Sequence, residues 1–232
     1  MNLIQTKFGF GVVIRKGDYF YYNVYAYEEL IQLIHLFNGN LILNKTQVRL
    51  KKIIHMHNQK FPKKRKKTIK FSEIKLFICF NCAWLSGFID AEGCFFSSFY
   101  LRTDRKVNLK KPTANWCLKI GIDISQTEEI ELLQSIRIFL NNGLVKPIKL
   151  KQLSYICYNT KKHCALKMSR KSHLYVLMQY LKINKLRGKK RFIYRKWRLL
   201  VVYPMLTFCK TQDDCYRLKT LVKRCGSKQA HI

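Results

Sequence analysis

The chain has 232 residues, and its 45 lysines and arginines against 13 aspartates and glutamates give a formal net charge of +32. A hydrophobic fraction of 48%, with 15 phenylalanines and 13 tyrosines, is enough for a real core and excludes a disordered basic tail. No apolar run approaches the roughly 20 residues of a membrane span. So many positive charges repel one another in a compact chain, which predicts a polyanionic partner such as nucleic acid.

The first sixty residues predict a hairpin followed by two helices. Phe8–Ile14 and Tyr19–Tyr25 are rich in aromatic and β-branched residues and flank a turn at Asp18. Glu28 to Phe37 has apolar residues at helical spacing, and Gln47 to His57 predicts a second, short helix.

A run of like charge over residues 60–70 divides the chain. A block of this kind repels itself and is typical of a solvated linker or an interaction tail. We predict a domain boundary here, with one domain at 1–59 and another at 71–232. We also predict that the run contacts phosphates, through Lys63, Lys64, Arg65, Lys66 and Lys67.

The second part predicts the order helix, two strands, helix, two strands, helix, followed by further helices. After the second strand, Ser125-Gln126-Thr127-Glu128 has the spacing of a capping box, which predicts that a helix begins at Glu128. The predicted elements are a helix from Phe71 to Asp90, strands at Cys94–Leu101 and Asn115–Ser125, a helix from Glu128 to Leu140, strands at Leu144–Tyr158 and Cys164–Ser169, and helices at Ser172–Ile183, Lys189–Val202 and Gln212–Lys223. The first part ends in a similar order, which predicts one complete repeat preceded by the final part of another.

Two of the 13 acids are candidate site residues. Hydrolysis of a phosphodiester commonly uses Mg²⁺ bound by carboxylates. Most acids of this chain lie near predicted helix N-termini, where the helix dipole favours a negative charge. Asp90 and Glu92 instead lie where an apolar helix runs out into a strand. An acid at a helix C-terminus is unfavourable, so a purely structural explanation is weaker for these two.

The stretch Trp84–Phe95, read WLSGFIDAEGCF, resembles the signature of LAGLIDADG homing endonucleases and intron maturases. Nine consecutive positions are compatible with it, including the small residues, both acids and the closing glycine. The order of elements agrees with the family's αββαββα unit from about Cys82 to Tyr203, and more weakly over Phe8–His57. The resemblance implies an α+β fold with a saddle-shaped antiparallel sheet, preceded by a partial copy of the same repeat.

The resemblance also implies roles for five residues of a catalytic site. Glu92 falls on the family's metal ligand, which would hold Mg²⁺, and Asp90 on a hydrogen-bonding residue at the helix terminus. Gln126 matches a polar residue that positions water. Arg187 stands where a catalytic lysine is common, and Lys189 follows in the same basic segment. Because arginine is not readily deprotonated, Arg187 is a departure for a proton shuttle.

The sheet of this family presents alternating side chains to a duplex groove, while cations on loops contact phosphates. The resemblance therefore predicts a nucleic-acid face on the hairpins of the complete repeat. Its candidate cations are Arg102, Lys106, Lys119, Lys149, Lys151, Lys161, Lys162, Lys167, Arg170 and Lys190.

Two functions remain open. Two-metal hydrolysis in the family draws a carboxylate from each of two signatures, and Met1–Lys7 is too short and too poor in acids to be a first one. We therefore predict a catalytically inactive binding protein that needs no cofactor and binds structured RNA, in a mitochondrial ribosome or as a group I intron maturase of the mitochondrial matrix. The alternative is an active, Mg²⁺-dependent, site-specific DNA endonuclease that works as a dimer or with a complementing fragment.

Overall fold

A computed structural model describes residues 2–60, 68–73, 78–101, 116–143, 155–158, 163–202 and 211–223 of this chain. The chain divides into two compact units, Met1–Leu76 and Phe77–Ile232. None of the helices within these described ranges is long and apolar enough to span a bilayer.

The first unit contains a hairpin and three helices, of which the second and third pack together. Its elements are α1 (Asn2–Phe8), β1 (Val12–Lys16), β2 (Tyr19–Asn23), α2 (Tyr27–Phe37) and α3 (Asn44–Lys60). The strands are antiparallel, and the core of the unit consists of Ile34, Leu50, Ile54 and Ile69. The predicted hairpin and both predicted helices are confirmed, although α3 is longer than its prediction at both ends.

The start of the hairpin differs from the prediction. Residues 2–8 are helical, and the first strand begins at Val12 rather than Phe8. Gly9 and Gly11 explain the delay because their φ angles of +75° and +77° lie in the left-handed region, which ends a helix and does not continue into a strand. A side chain at position 11 would also collide with the ring of Tyr22, 2.6 Å away.

Residues 68–73 pack in the first unit, although the prediction begins the second domain, with a helix, at Phe71. Asn58 donates to the carbonyl oxygen of Ile69 (2.9 Å) and accepts from its N–H (3.1 Å). Asn38 makes the same kind of pair with the carbonyl oxygen of Lys70 (2.7 Å) and the N–H of Ser72 (2.8 Å). Because these side chains occupy backbone groups that a helix would use for itself, no helix forms over 68–73, and the predicted helix is wrong in its first part.

The second unit confirms the predicted order of elements. Its first helix begins at Trp84, later than predicted. The elements are α4 (Trp84–Glu92), β3 (Gly93–Leu101), β4 (Trp116–Thr127), α5 (Ile130–Asn142), β5 (Tyr155–Tyr158), β6 (His163–Met168), α6 (Lys171–Ile183), α7 (Lys190–Val202) and α8 (Gln212–Lys223). Of the predicted strand Leu144–Tyr158, residues 144–154 lie outside the described part of the chain.

The four strands form an antiparallel sheet in the order β3-β4-β6-β5. Side chains alternate between its two faces. One face is buried and includes Phe95, Ile122, Ile124, Leu166 and Met168, and α4, α5 and α7 pack against its strands. We call the opposite face the outer face; among its residues are Ser98, Tyr100, Lys119, Asp123, Thr127 and Lys167.

The predicted capping box before α5 does not form, and this helix begins two residues later than predicted. β4 continues through Thr127, which pairs with His163 of β6. The chain then turns at Glu128, whose φ is +60°, and Glu129 takes the N-cap position without a capping side-chain hydrogen bond. Sheet pairing therefore uses the residues that the capping box would have needed.

Trp197 fixes α7 against the sheet. Its side chain is fully buried, and its Nε1–H donates to the carbonyl oxygens of Gly121 (2.9 Å) and Phe96 (3.2 Å). Phe95 packs on the same indole, with 5.0 Å between ring centroids. One side of α7 is thereby held on the sheet, and the other side faces away from it.

Candidate functional site

The signature helix α4 is anchored at its N-terminus by α6. Leu85, Phe88 and Ile89 are buried at helical spacing. The hydroxyl of Tyr180 donates to the carbonyl oxygen of Cys82 (2.6 Å) and accepts from the N–H of Ser86 (3.1 Å). It thus satisfies one of the backbone donors that a helix N-terminus leaves free. Burial raises the pKa of Tyr180 to about 12, so its hydroxyl keeps the proton that it donates.

Asp90 connects the C-terminal turn of α4 to the loop before α7. Its Oδ2 accepts hydrogen bonds from the backbone N–H of Arg187 (2.8 Å) and of Gly188 (2.5 Å). Its Oδ1 is buried and has no hydrogen-bond partner among the described residues. The predicted hydrogen-bonding role of Asp90 at the helix terminus agrees with this geometry, and the contact brings the predicted basic segment to the end of the signature helix.

Glu92 is the last residue of α4, and its side chain is exposed. It makes no hydrogen bond or ion pair with another described residue. Gly93 follows at once and starts β3; a Cβ there would lie 2.8 Å from the carbonyl oxygen of Ile89. The closing glycine therefore allows the abrupt change from helix to strand that leaves the Glu92 carboxylate at the surface.

Lys190 caps the same helix end. Its ammonium group donates to the carbonyl oxygens of Ala91 (2.8 Å) and Ile89 (3.3 Å). A cation is favourable at this position because the helix C-terminus carries partial negative charge. The predicted role of Lys190 in binding nucleic acid would require it to leave these carbonyls.

Gln126 lies at the same end of the sheet as Glu92. Gly93 pairs with Ile124, so Gln126 is two residues beyond the start of β3. Gln126 is only 4% exposed. It lies on the buried face of β4, which also carries Ile122 and Ile124. The predicted role of positioning a water would place that water at a buried amide.

Arg187 and Lys189 belong to the loop held by Asp90, and both are exposed. Arg187 also lines a cavity that extends along α7. The fold thus brings Asp90, Glu92, Arg187 and Lys189 to one end of α4, and their catalytic roles stay a prediction.

The outer face carries Lys119 and Lys167 of the predicted nucleic-acid cations. The Lys167 ammonium lies 4.0 Å from the carboxylate of Asp123, and the Ser125 hydroxyl is 3.4 Å from the same carboxylate. Partial burial raises the pKa of Asp123, while Lys167 and the hydrogen bond from Ser125 oppose that rise. Lys119 is exposed beside Ser98, with no acid opposite it in the register.

Of the other predicted cations, the structure describes Arg170 and, at the end of α4, Lys190. Arg170 occupies the N-cap position of α6 and is exposed. The remaining ones lie outside the described residues: Lys63, Lys64, Arg65, Lys66, Lys67, Arg102, Lys106, Lys149, Lys151, Lys161 and Lys162.

Of the two described carboxylates at the end of α4, only that of Glu92 is open to a metal ion. In the described ranges no three histidine, cysteine, aspartate or glutamate side chains come together. Glu92 fits Mg²⁺ as a single hard oxygen ligand, since its carboxylate is exposed at the helix terminus. Asp90 does not offer the same freedom because its Oδ2 is engaged by two N–H groups.

Sequence reasoning missed Tyr180, Asp123 and three arginines of α7. In the sequence, Tyr180 cannot be told from the other large residues on the apolar side of its helix. Only the hydrogen bonds of its hydroxyl with Cys82 and Ser86 show its role. The cations were detectable in principle, because Arg191, Arg195 and Arg198 recur at the spacing of one helical face.

The LAGLIDADG endonuclease family model matches residues 85–201, which is half of the chain. With the signature on α4 and the αββαββα order around it, the chain belongs to the LAGLIDADG endonuclease family. A Neurospora crassa protein named "Probable intron-encoded endonuclease 4" is 30% identical over 215 residues, which cover 91% of this chain and 34% of that protein. The chain thus spans about a third of the length of this curated relative.

Solved structures share the fold. The meganuclease I-SmaMI bound to uncleavable DNA matches with a TM-score of 0.68 and 16% identity, over 96% of this chain and 82% of that one. The homing endonuclease I-LtrWI bound to its target DNA matches with a TM-score of 0.68 and 15% identity, over 97% of this chain and 82% of that one. The predicted fold class, mixed helices and antiparallel sheet of the LAGLIDADG type, is confirmed.

Proposed function

We propose that this chain binds duplex DNA on the outer face of its sheet and contributes one half of a Mg²⁺-dependent endonuclease site. The observation that carries the proposal is the exposed carboxylate of Glu92 at the end of the signature helix, which makes no hydrogen bond or ion pair with another described residue. The loop that Asp90 holds beside it supplies positive charge from Arg187 and Lys189. This is the alternative that the sequence left open, and it is supported by the DNA bound in two solved structures of the same fold, I-SmaMI and I-LtrWI.

The residues of this chain would have different roles in binding the metal ion, stabilising charge and binding phosphates. Glu92 would hold the metal, and a bound Mg²⁺ would supply stabilisation of charge on a scissile phosphate. Asp90 positions Arg187 through the backbone, and the Arg187 guanidinium stays protonated, so it would stabilise negative charge rather than move a proton. Lys119 and Lys167 would bind backbone phosphates of the duplex.

The second carboxylate would come from another signature helix. Ala83, Gly87 and Ala91 recur every four residues along α4, and all three are exposed. No described atom lies within 4 Å of a Cβ built at Gly87. Small residues let two helices approach closely, so we propose that a helix from a second copy or from another segment packs on α4 here.

Cleavage of a randomised library of DNA duplexes tests the catalytic half of the proposal. Where a second copy supplies the other signature helix, wild-type chain with Mg²⁺ should cut at reproducible positions, and a chelator should stop the reaction. Glu92→Gln should abolish the cuts while leaving duplex binding in place. Glu131→Gln, which removes an exposed acid from α5, is the matched control and should cut normally.

Affinity measurements test the binding half. Lys119→Gln combined with Lys167→Gln should weaken binding to duplex DNA, whereas Lys171→Gln combined with Arg217→Gln should not. Unchanged duplex affinity of the first pair would contradict the assignment of the outer face.

The ribonucleoprotein function and the mitochondrial location stay predictions. The N. crassa relative is named as intron-encoded, which supports an origin of this chain within an intron. Retention of one structured RNA in strong preference to duplex DNA would favour the ribonucleoprotein function.

A further inference from the structure

A basic groove lies between α6 and α7. It has a volume of about 360 Å³ and is lined by the C-terminal part of α6, the loop that follows it and one side of α7. We call it the α6–α7 groove. Six cations line it, namely Lys182, Lys185, Arg187, Arg191, Arg195 and Arg198, and its lining residues include no acid.

This concentration of charge is not explained by helix stability. Arg191, Arg195 and Arg198 follow each other at intervals of four and three residues, which places three positive charges on one stripe of α7. Like charges at these intervals repel and destabilise a helix. A bound anion would remove that repulsion, because cations in a concave site attract and concentrate negative ligands.

The groove also offers aromatic and apolar surface. Leu181 and Leu186 are buried and form apolar parts of its lining, together with the half-buried ring of Tyr194. At its edge, the Arg191 guanidinium lies 4.6 Å from the ring centroid of Phe192, whose side chain is 52% exposed. Arginine planes and exposed aromatic rings beside a cationic track are typical of sites for single-stranded nucleic acid, where bases stack and phosphates pair with cations.

The groove faces away from the surface proposed for the duplex. Trp197, Leu200 and Val201 bury one side of α7 against the sheet. At 100° per residue, the arginine stripe lies about 100–160° around the helix from Trp197. The outer face is on the far side of the sheet from α7, so a duplex bound there would leave this groove open.

We propose that the α6–α7 groove is a second nucleic-acid site, which binds a single strand through its phosphates independently of the outer face. The site goes beyond the proposed endonuclease function. RNA and DNA strands offer the same phosphates, and the two are separate arms of the test.

The test compares three labelled probes of mixed sequence with the full chain: a 20-nucleotide RNA strand, a 20-nucleotide DNA strand and a 20-base-pair DNA duplex. Fluorescence anisotropy gives Kd at several salt concentrations. The groove variant is Arg191→Gln with Arg195→Gln and Arg198→Gln, and the outer-face variant is Lys119→Gln with Lys167→Gln.

A matched control removes the same number of charges elsewhere. It combines Lys52→Gln, Lys171→Gln and Arg217→Gln, three exposed cations that do not line the groove. A charge-retaining version of the groove variant replaces the same three arginines by lysine and should keep most of the phosphate binding.

The groove variant should bind at least one of the single strands about tenfold more weakly or worse. Its slope of log K against log salt should become shallower by about 2, because three phosphate contacts contribute about 0.7 each on a single strand. Duplex binding should change less than about twofold. The groove would affect a duplex on the outer face only through long-range attraction, and salt screens that attraction. Preference for RNA or for DNA among the strands identifies which of the two the site takes.

Three results would overturn the proposal. Equal losses in the groove variant and the control would mean that only total charge matters. A loss confined to the duplex would assign the groove to the duplex site, and unchanged binding of both strands would leave the groove without a role. If the groove variant does not fold, as judged by circular dichroism, Lys182→Gln with Lys185→Gln on the opposite wall must show the same selective loss for a single strand.

Discussion

Gly188 donates its backbone N–H to the carboxylate of Asp90 at 2.5 Å, and a Cβ at position 188 would lie 2.8 Å from the other oxygen of that carboxylate. The first acid of the signature thus packs directly on a glycine of the loop before α7, and the two residues are 98 positions apart in the chain. The contact ties the predicted catalytic cation Arg187 to the end of α4 through the backbone rather than through its side chain.

Replacement of Asp90 by alanine should destabilise the second unit. It removes the acceptor of two backbone hydrogen bonds, and bonds to a charged acceptor contribute about 1.5–3 kcal/mol each. Because the site is partly exposed, we expect a total loss of about 2 kcal/mol in the free energy of unfolding, measured with urea. Glu92→Gln at the exposed end of the same helix is the control and should change the free energy by less than about 0.5 kcal/mol.

Alanine at two glycines should have opposite effects on stability. Gly188→Ala would push against the Asp90 carboxylate and should lower the melting temperature. Gly87→Ala meets no described atom within 4 Å, lies inside α4 and should stabilise the unit by about 0.5–1 kcal/mol. If a partner helix packs on α4, Gly87→Ala should nevertheless reduce cleavage; full cleavage by this more stable variant would contradict the proposed packing.

Removal of the Tyr180 hydroxyl should destabilise the chain without changing its surface. Tyr180→Phe leaves the carbonyl oxygen of Cys82 and the N–H of Ser86 without their partner, and one unsatisfied buried group costs about 1–3 kcal/mol. Denaturant unfolding should show a loss in that range. Tyr175→Phe, on the exposed side of the same helix, is the control, and an equal effect of both changes would rule out the anchoring role of Tyr180.

The buried histidine of α6 should make stability depend on pH. His173 is 1% exposed, and neither ring nitrogen has a partner among the described residues. Burial lowers the pKa of His173, and the charge of Arg170 lowers it further. The unfolded chain, with an ordinary histidine pKa of about 6.5, then binds more protons than the folded chain just below that pH.

The His173 contribution is therefore fully present above about pH 6.5 and is lost as the pH falls toward the lowered folded pKa. Between pH 7.5 and 5.5, the free energy of unfolding of His173→Leu should change less than that of the wild type, as measured by urea titrations. Replacement of the exposed His35 by glutamine should leave the wild-type pH dependence intact, and an unaltered dependence in His173→Leu would contradict this account.

Much of the architecture could be predicted because it depends on local pattern. The alternation of apolar residues in β3 and β4, the helical spacing in α2 and α6 and the acids of the signature are visible in short windows of sequence. Errors occurred where a distant residue competes for the backbone. Asn38 and Asn58 take the hydrogen-bonding groups of 68–73, and pairing with β6 extends β4 through the predicted capping box.

The sequence by itself determined the excess of positive charge, the order of helices and strands and the two acids at the end of an apolar helix, because composition and periodicity are written in neighbouring residues. Tertiary structure alone decided that Asp90 holds the Arg187 loop, that Gln126 is buried, and that the arginines of α7 line a groove with Lys182 and Lys185. Each of these facts depends on which elements pack together, and the free energy of that packing comes from contacts between residues far apart in the chain.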